Sequence, residues 1–522
     1  MDNVSESLPE SSQSFWREDI DLSSFSSLQE DMEVDVVIVG GGITGITAAY
    51  LLTKDGVKVA LLEASRLLNG TTGHTTAKIT AQHGLIYDEY IQYFGQTNAR
   101  LYYEAVTEAG NFIKKTIDSL GISCDYQVED AYLYATTDEY ARKLQKEYEA
   151  YQKLNIPGEL VDDIPFSIPV TKALVMRQEA QFHPLKYLRV LVEETKNNGG
   201  LIYEETVAVN IEKEDRMIVH TRDGYRVKGK QVLICSHFPF YEGMGLYSAR
   251  MYADRSYALV AETKETYPGG MYLSADQPNR SLRSIIVDGK EMVLVGGESH
   301  KTGQGTDVMN HYRAIEKFAH DLFTVENIPY RWSAQDLTTL DKLPYIGPIT
   351  ENNPNILVAT GFRKWGMTNG TAAAQLMSRI VLGASSPYES LYQPSRFYAD
   401  PSLKNFLREN IDFMKHFMKG KLQFPKTKVK DIQPGEGAII TVDGQRKGAY
   451  RDETGELFVV DTTCTHVGCE VEWNSGDRTW DCPCHGSRFT YKGEVVEGPA
   501  EKPLQQHHFQ MLDNYTSEES GY

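Results

Sequence analysis

Cysteine is scarce in this sequence, positive charge is in deficit, and long apolar runs are missing. Only six cysteines occur in 522 residues, too few for a disulfide-stapled framework. Lysine and arginine number 53 against 72 acidic residues, a formal net charge of -19. That balance argues against nucleic acid or an anionic membrane as a partner, because both need a cationic face. No apolar stretch approaches the ~20 residues that cross a bilayer, so no membrane insertion is expected. The opening MDNVSESLPESSQSFWRED is acidic and serine-rich. It lacks the basic and apolar segments of a signal peptide, and the expected location is the cytoplasm.

What is present describes a packed globular chain of two or three folding units, with 41% hydrophobic and 24% charged residues. Residues 1–30 have no sustained periodicity and read as a mobile leader. A βαβ unit opens with DVVIVG at 35–40 and closes with VKVALLE at 57–63, and mixed strand and helix patterns run on to about 395. SLKNFLRENIDFMKHFMKGKL at 402–422 sets Phe406, Phe413, Phe417 and Met418 among charged positions, as in an amphipathic connecting helix. Beyond it, short strand-like runs separated by Gly and Asp turns predict a small antiparallel domain. The resulting division is a leader (1–30), a first domain (31–400), a linker helix (401–425), a second domain (426–512) and a fraying tail (513–522).

Gly40, Gly42 and Gly45 form G-x-G-x-x-G between an apolar strand and a helix. The first glycine permits the tight turn, the second lets the backbone approach a pyrophosphate, and the third lets helix and strand close up. The helix N-terminus offers free N–H groups and a favourable dipole to the diphosphate. Glu63 ends the next strand, where a carboxylate accepts from ribose hydroxyls. This fingerprint alone leaves FAD and NAD both open. VLVGGESH at 293–300 lacks a third glycine and reads as a strand ending in a turn, so a second nucleotide site is not expected.

Two further stretches bear on that choice. ASRLLNGTTGHTTAKIT follows Glu63, and TTLDKLPYIGP leads into NILVATGFRKWGMTNGTAAAQL. Both resemble D-amino-acid-oxidase-like flavoproteins over residues 34–385, which implies FAD. The resemblance implies cofactor contacts at Arg66, Thr72, His74, Val207, Gly361, Trp365, Gly366, Met367 and Thr368. A helix N-terminus aimed at the flavin pyrimidine would stabilise anionic reduced flavin. In dimethylglycine-dehydrogenase-like relatives a histidine near position 74 carries the flavin covalently; here His74 is equally suited to hydrogen bonding. The cysteine that anchors flavin in sarcosine-oxidase-like relatives is absent from SAQDL. Lys364 and Arg363 stand where related enzymes hold a cation for a substrate carboxylate, although a surface charge pair fits them as well. Residues 90–150 and 250–330 are the expected substrate sheet and cap, with Arg255, Tyr257 and Trp332 as pocket candidates and no assigned catalytic acid or base.

At the other end, Cys464-Thr465-His466 and Cys482-Pro483-Cys484-His485 offer two thiolates and two imidazoles. Such ligands suit either a structural zinc or an iron–sulfur centre. The surrounding CTHVGCEVEWN and WDCPCHGSRF resemble the cluster loops of cytochrome-bc-type Rieske proteins, over about residues 428–510. The resemblance implies a [2Fe–2S] cluster with Cys464 and Cys482 on one iron and His466 and His485 on the other. It also implies a Cys469–Cys484 disulfide and a covering loop at EGPAEKPL. Neutral imidazoles leave the cluster less negative, which raises its potential from about −400 mV into the range of roughly −150 to +300 mV. Ser487 matches the serine that donates to a bridging sulfide. Phe489 replaces a donating tyrosine, so the expected potential lies below that of the highest Rieske centres. Cys124 and Cys235 read as buried apolar residues.

The expected fold is thus an α/β FAD-binding Rossmann-like domain with an α+β substrate domain, followed by a small all-β Rieske domain. The expected activity is oxidation of an amine or amino acid, N-methylated ones among the candidates, with hydride transfer to FAD. The cluster would pass single electrons to or from a one-electron partner protein. Without a second nucleotide site, electrons enter from an organic substrate; with a cluster, a dehydrogenase is favoured over an oxidase. A respiratory Rieske subunit would need a membrane anchor. A Rieske oxygenase would need a mononuclear iron site, and His311 and His320 lack that spacing and are expected on the solvent face of a helix. A flavin/Rieske redox sensor without its own substrate is the alternative.

Overall fold

The computed structural model describes residues 8–305, 307–396, 401–402, 404–422, 427–442 and 444–507, with backbone alone at 412, 413 and 418–422. The βαβ unit forms as β1 (Val36–Val39), α1 (Ile43–Lys54) and β2 (Val59–Leu62). Every residue of both strands is buried, the pattern of parallel strands covered on two faces. A six-stranded sheet grows around them, in the order Tyr345–Pro348, Ile356–Thr360, Gln231–Ile234, β1, β2, Leu201–Tyr203. All its pairings are parallel except that of Tyr345–Pro348. Helix α2 (Gly366–Val381) packs on α1.

The substrate domain is a nine-stranded sheet whose longest members, β3 (Met251–Thr263) and β4 (Val325–Thr339), pair antiparallel along most of their length. The helices Tyr87–Leu120 and Asp138–Lys153 overlap the expected sheet-and-cap stretch 90–150, each overrunning it by three residues. Helix α3 (Lys404–Leu422) occupies the expected linker. Phe406 is half-buried and Phe417 packs on the core of the last domain, while the side chains of Phe413 and Met418 lie outside the described residues. That last domain is two four-stranded antiparallel sheets around Val460, Val471, Trp480 and Phe489. The tail 513–522 also lies outside the described residues.

Three expectations need correction. Residues 8–30 do not trail free. Phe15 and Trp16 are 2% and 1% exposed, Trp16 Nε1 donates to the Thr75 carbonyl, and Pro9 and Glu10 carbonyls accept from Arg331. Two large aromatics bury enough apolar surface to order a polar segment that lacks periodicity. VLVGGESH does not turn, because its strand runs on through Lys301 with a register shift opposite Arg255–Tyr257. His311 does not face solvent: its ring stacks on His300, 4.4 Å between centroids, and pairs with Glu298. His320 is exposed as expected.

Candidate FAD cleft and iron–sulfur site

The glycine-rich turn opens a cavity of ≈ 1830 Å³ between the Rossmann and substrate sheets. That is larger than the ~300–1,000 Å³ usual for one small ligand, leaving room for a dinucleotide and a substrate. Gly45 is required by packing: a Cβ there would lie 1.9 Å from the Gly40 carbonyl oxygen. At the N-terminus of α1, Ile43 N–H donates to Thr72 Oγ1 (3.1 Å). The Glu63 carboxylate accepts from Gly41 N (2.7 Å) and Ser65 N (2.9 Å), and burial raises its pKa. Glu63, Thr72, His74 and Val207 all line the cavity with Gly40 and Gly42. Arg66 does not. It pairs with Glu204 at 2.8 Å on a half-exposed face, because the chain turns at Glu63–Leu67 and sends the guanidinium outward.

On the far wall, Trp365, Gly366 and Met367 begin α2 and face the same cavity. Thr368 is buried behind them, its hydroxyl 3.0 Å from His83 Nε2, and the His83 ring stacks on Trp365 at 4.6 Å. Gly361, Arg363 and Lys364 all have positive φ, a conformation that costs non-glycine residues energy and collects at functional sites. Arg363 Nη2 donates to the His83 carbonyl and Lys364 Nζ to Ser299 Oγ. Lys364 is therefore no surface charge. Burial lowers its pKa, against which Asp254 and Asp336 pull it up; burial in turn raises both carboxyls. Two acids compensate this ammonium, and Arg363 and Lys364 both line the cavity.

Sequence reading missed Lys78, Asp254 and Asp336. Lys78 is buried at the cavity wall, donating to Tyr272 O (2.9 Å) and Ser281 Oγ (2.6 Å). Burial and the neighbouring Arg283 lower its pKa to about 7. Its one signal was a lysine inside the apolar run AKIT. Trp332 sits by the cavity and donates to the His74 carbonyl (2.9 Å). Tyr257 lines the cavity as well, with its ring packed against Tyr312 and its hydroxyl 2.7 Å from His300 Nε2.

In the last domain, Cys469 and Cys484 are bonded, across a sequence separation of 15. Cys464 and Cys482 are free and buried. The sulfurs of Cys469, Cys482 and Cys484 lie within 4.8 Å of one another, but the disulfide consumes two of the three and so excludes them as a ligand set. The His466 and His485 rings meet edge to face at 5.1 Å, and His466 Nδ1 is buried without a hydrogen-bond partner among the described residues. Two free thiols and an orphaned imidazole nitrogen fit a two-iron cluster's mixed ligands. Ser487 Oγ accepts from Ala500 N (3.0 Å) and its hydroxyl sits against the Cys464 sulfur. Thr465 Oγ1 donates to the Lys502 carbonyl, tying the first cysteine loop to the proline-containing one. Cys124 and Cys235 are buried, as expected, and burial raises both thiols.

The two halves share the cavity, since Glu494–Ala500 of the last domain line it opposite Gly40–Thr44. Arg255 is not a substrate-pocket residue. It is 1% exposed and donates to Glu497 Oε2 (2.9 Å) across the interface. Ala253 and Arg255 of β3 face the last domain, whereas Tyr252, Asp254, Ser256 and Tyr257 line the cavity.

A nucleotide cleft between a Rossmann sheet and a long-stranded substrate sheet, joined to a domain with Rieske-type loops, defines a flavin-dependent redox protein. The family model "FAD dependent oxidoreductase" matches residues 35–380 and "Rieske [2Fe-2S] domain" matches 423–508. The chain belongs to the FAD-dependent oxidoreductase family and carries a C-terminal Rieske domain; its cofactors are FAD and a [2Fe–2S] cluster. It is 54% identical over 497 residues to YhfW, a Rieske 2Fe-2S iron-sulfur protein of Bacillus subtilis (strain 168), covering 95% of this chain and 98% of that one. Gamma-glutamylputrescine oxidoreductase of Escherichia coli (strain K12) is 22% identical over 405 residues, covering 70% and 88%. Glycine oxidase from Geobacillus kaustophilus shares the fold, with a TM-score of 0.58 at 17% identity over 70% of this chain and 99% of that one. No helix among the described residues is long and apolar enough to cross a membrane.

Proposed function

We propose that the protein is a dehydrogenase of an amine or amino-acid-type substrate that passes electrons singly through its Rieske cluster to a one-electron acceptor. The observation that carries this is the shared cavity, with the Rieske loop Glu494–Ala500 forming part of the wall of the FAD cleft. FAD, when bound, takes two electrons from an organic substrate, and the cluster carries one at a time. Gly40, Gly42 and the N-terminus of α1 would hold the diphosphate, Glu63 the ribose, and Trp365–Met367 the flavin end. Cys464 and Cys482 would bind one iron, and His466 and His485 the other.

On the substrate side, the acids Asp254 and Asp336 and the cations Lys364 and Arg363 share the cavity wall, an arrangement that suits an amine or an amino-acid-type substrate. Lys78, held near neutrality, is suited to accept a proton from that amine, which must lose it before oxidation. The names of the oxidoreductase relatives, gamma-glutamylputrescine and glycine among them, agree with this class. An anaerobic screen of N-methylated amines and amino acids, following flavin bleaching and the cluster's paramagnetic signal, tests the proposal. A substrate that bleaches flavin and then reduces the cluster is the expected result. Bleaching with a silent cluster removes the electron-transfer half, and no bleaching by any amine removes the dehydrogenase.

A further inference from the structure

The domain interface is built around buried charge. Arg488 of the Rieske domain faces Asp477 (2.9 Å), Asp481 (3.1 Å) and Glu497 (3.4 Å). One cation cannot balance three buried carboxylates. The second comes from the other domain: Arg255 of β3 bonds Glu497 at 2.9 Å and lies 3.8 Å from Asp477 and 3.9 Å from Asp481. Ser333 and Gln335 of β4 also bond its guanidinium. Ser333 Oγ and Tyr312 OH both donate to Asp477, and Arg331 donates to the Gly476 carbonyl. The Rieske domain's charge cluster is thus completed only by docking.

Docking also seats the cluster loop on β3. A Cβ on Gly486 would lie 2.5 Å from Ala253 Cβ, and one on Gly303 would lie 2.6 Å from Pro483 N. Gln304 Nε2 donates to the Pro483 carbonyl. Ala253 therefore touches the loop that carries Cys482 and His485. Its neighbours Tyr252 and Asp254 line the FAD cavity, and Tyr252 also lines the small cavity containing His485. A single strand separates the cluster loop from the cavity.

We propose that β3 at Tyr252–Asp254 is the wall through which electrons pass between flavin and cluster, and that Arg255 is the positioning residue that holds the cluster loop against it. This rests on the ligand assignment above. With FAD and the cluster bound, each transfer would take one electron from the reduced flavin and would convert one iron from ferric to ferrous. An external one-electron acceptor then takes that electron, the second follows by the same route, and the flavin's protons leave to water. The Rieske domain stays docked throughout.

The test uses full-length holoprotein under anaerobic conditions. A flash-generated reductant reduces the flavin, and cluster bleaching is followed at several protein concentrations. The wild-type rate is expected to be independent of concentration. Arg255→Leu is expected to slow it several-fold, since electron tunnelling falls off exponentially with the gap that a displaced cluster loop opens. Flavin absorbance and the cluster's paramagnetic signal should be unchanged, and Arg255→Lys should recover part of the rate. A second arm joins the domains covalently. Ser475 Oγ donates to Asp307 Oδ1 at 2.7 Å on the exposed rim, and an oxidised D307C/S475C pair is expected to keep the wild-type rate. An undiminished rate in R255L, or a stalled cluster in the cross-linked protein, overturns the proposal, and the second arm decides if R255L does not fold. A wild-type protein lacking the Rieske signal would instead overturn the ligand assignment, and this inference with it.

Discussion

Replacing Gly45 by alanine sets two effects of opposite sign against each other. Gly45 lies inside α1, where alanine is favoured over glycine by about 1 kcal/mol. The added Cβ would, however, sit 1.9 Å from the Gly40 carbonyl oxygen and 3.3 Å from the Ile38 side chain. The obstructing atom belongs to the backbone of the nucleotide turn and cannot swing aside, so α1 has to retreat from β1 by about an ångström. Overpacking of this kind costs about 3 kcal/mol, which exceeds the propensity gain and leaves a net loss of about 2 kcal/mol. The retreat also draws the helix N-terminus away from the diphosphate, and losing about 1.4 kcal/mol there weakens FAD about tenfold. Thermal unfolding and FAD release on dialysis measure the two losses. Gly70→Ala, in the same cavity wall with nothing near its Cβ, is the control and should change neither. A G45A protein that melts higher and keeps its flavin would refute the packing argument.

Burial pushes the Asp477 and Glu497 carboxyls up, but Arg488 and Arg255 more than offset it and hold both at about 2. Unfolded carboxyls titrate near 4, so their stabilisation, on the order of 2 kcal/mol each, is complete above pH 4 and is lost as pH falls towards 2. Hydrogen exchange over residues 476–500 should rise across that window, and unchanged protection would count against it. Cys469→Ser removes a bridge closing a 15-residue separation, expected to cost about 3 kcal/mol. Iron and acid-labile sulfide content should fall with the melting temperature, and full retention of both would show that the clamp is dispensable. Lys78, at about 7 in the fold, binds fewer protons than the unfolded lysine between pH 7 and 10, so stability should rise with pH there. Lys78→Met should flatten that rise, and an unchanged slope would assign it to another group. Redox titration should place the cluster below the highest Rieske potentials, because Phe489 has no hydroxyl to donate.

The legible parts of this protein were those whose ligand groups recur at short, characteristic spacings along the chain. Gly40–Gly45 with Glu63, and the two cysteine–histidine loops, specify chemistry by local spacing, because neighbouring backbone and side-chain groups must converge on one ligand. That spacing announced a dinucleotide site and a metal centre, and the resemblance to flavoproteins and Rieske proteins implied FAD, the [2Fe–2S] cluster and the Cys469–Cys484 pairing. The mobile reading of residues 8–30 failed because periodicity cannot register two isolated aromatics, Phe15 and Trp16, that find their pocket in distant chain. Arg66 turns away from the cavity for a related reason, since a side chain's direction depends on which charges lie across the fold.

Only the tertiary structure decided which groups face one another. Arg255 meets Asp477 and Glu497 more than two hundred residues away, and Lys364 meets Asp254 across the substrate sheet. The pleat of β3 turns Ala253 and Arg255 to the Rieske domain and Asp254 and Ser256 to the flavin cavity, a division invisible until the strand has a neighbour on each face. Local motifs marked where a dinucleotide and a metal centre bind. The spacing and shielding of its charges, which depend on distance and burial, were set when the two domains packed together.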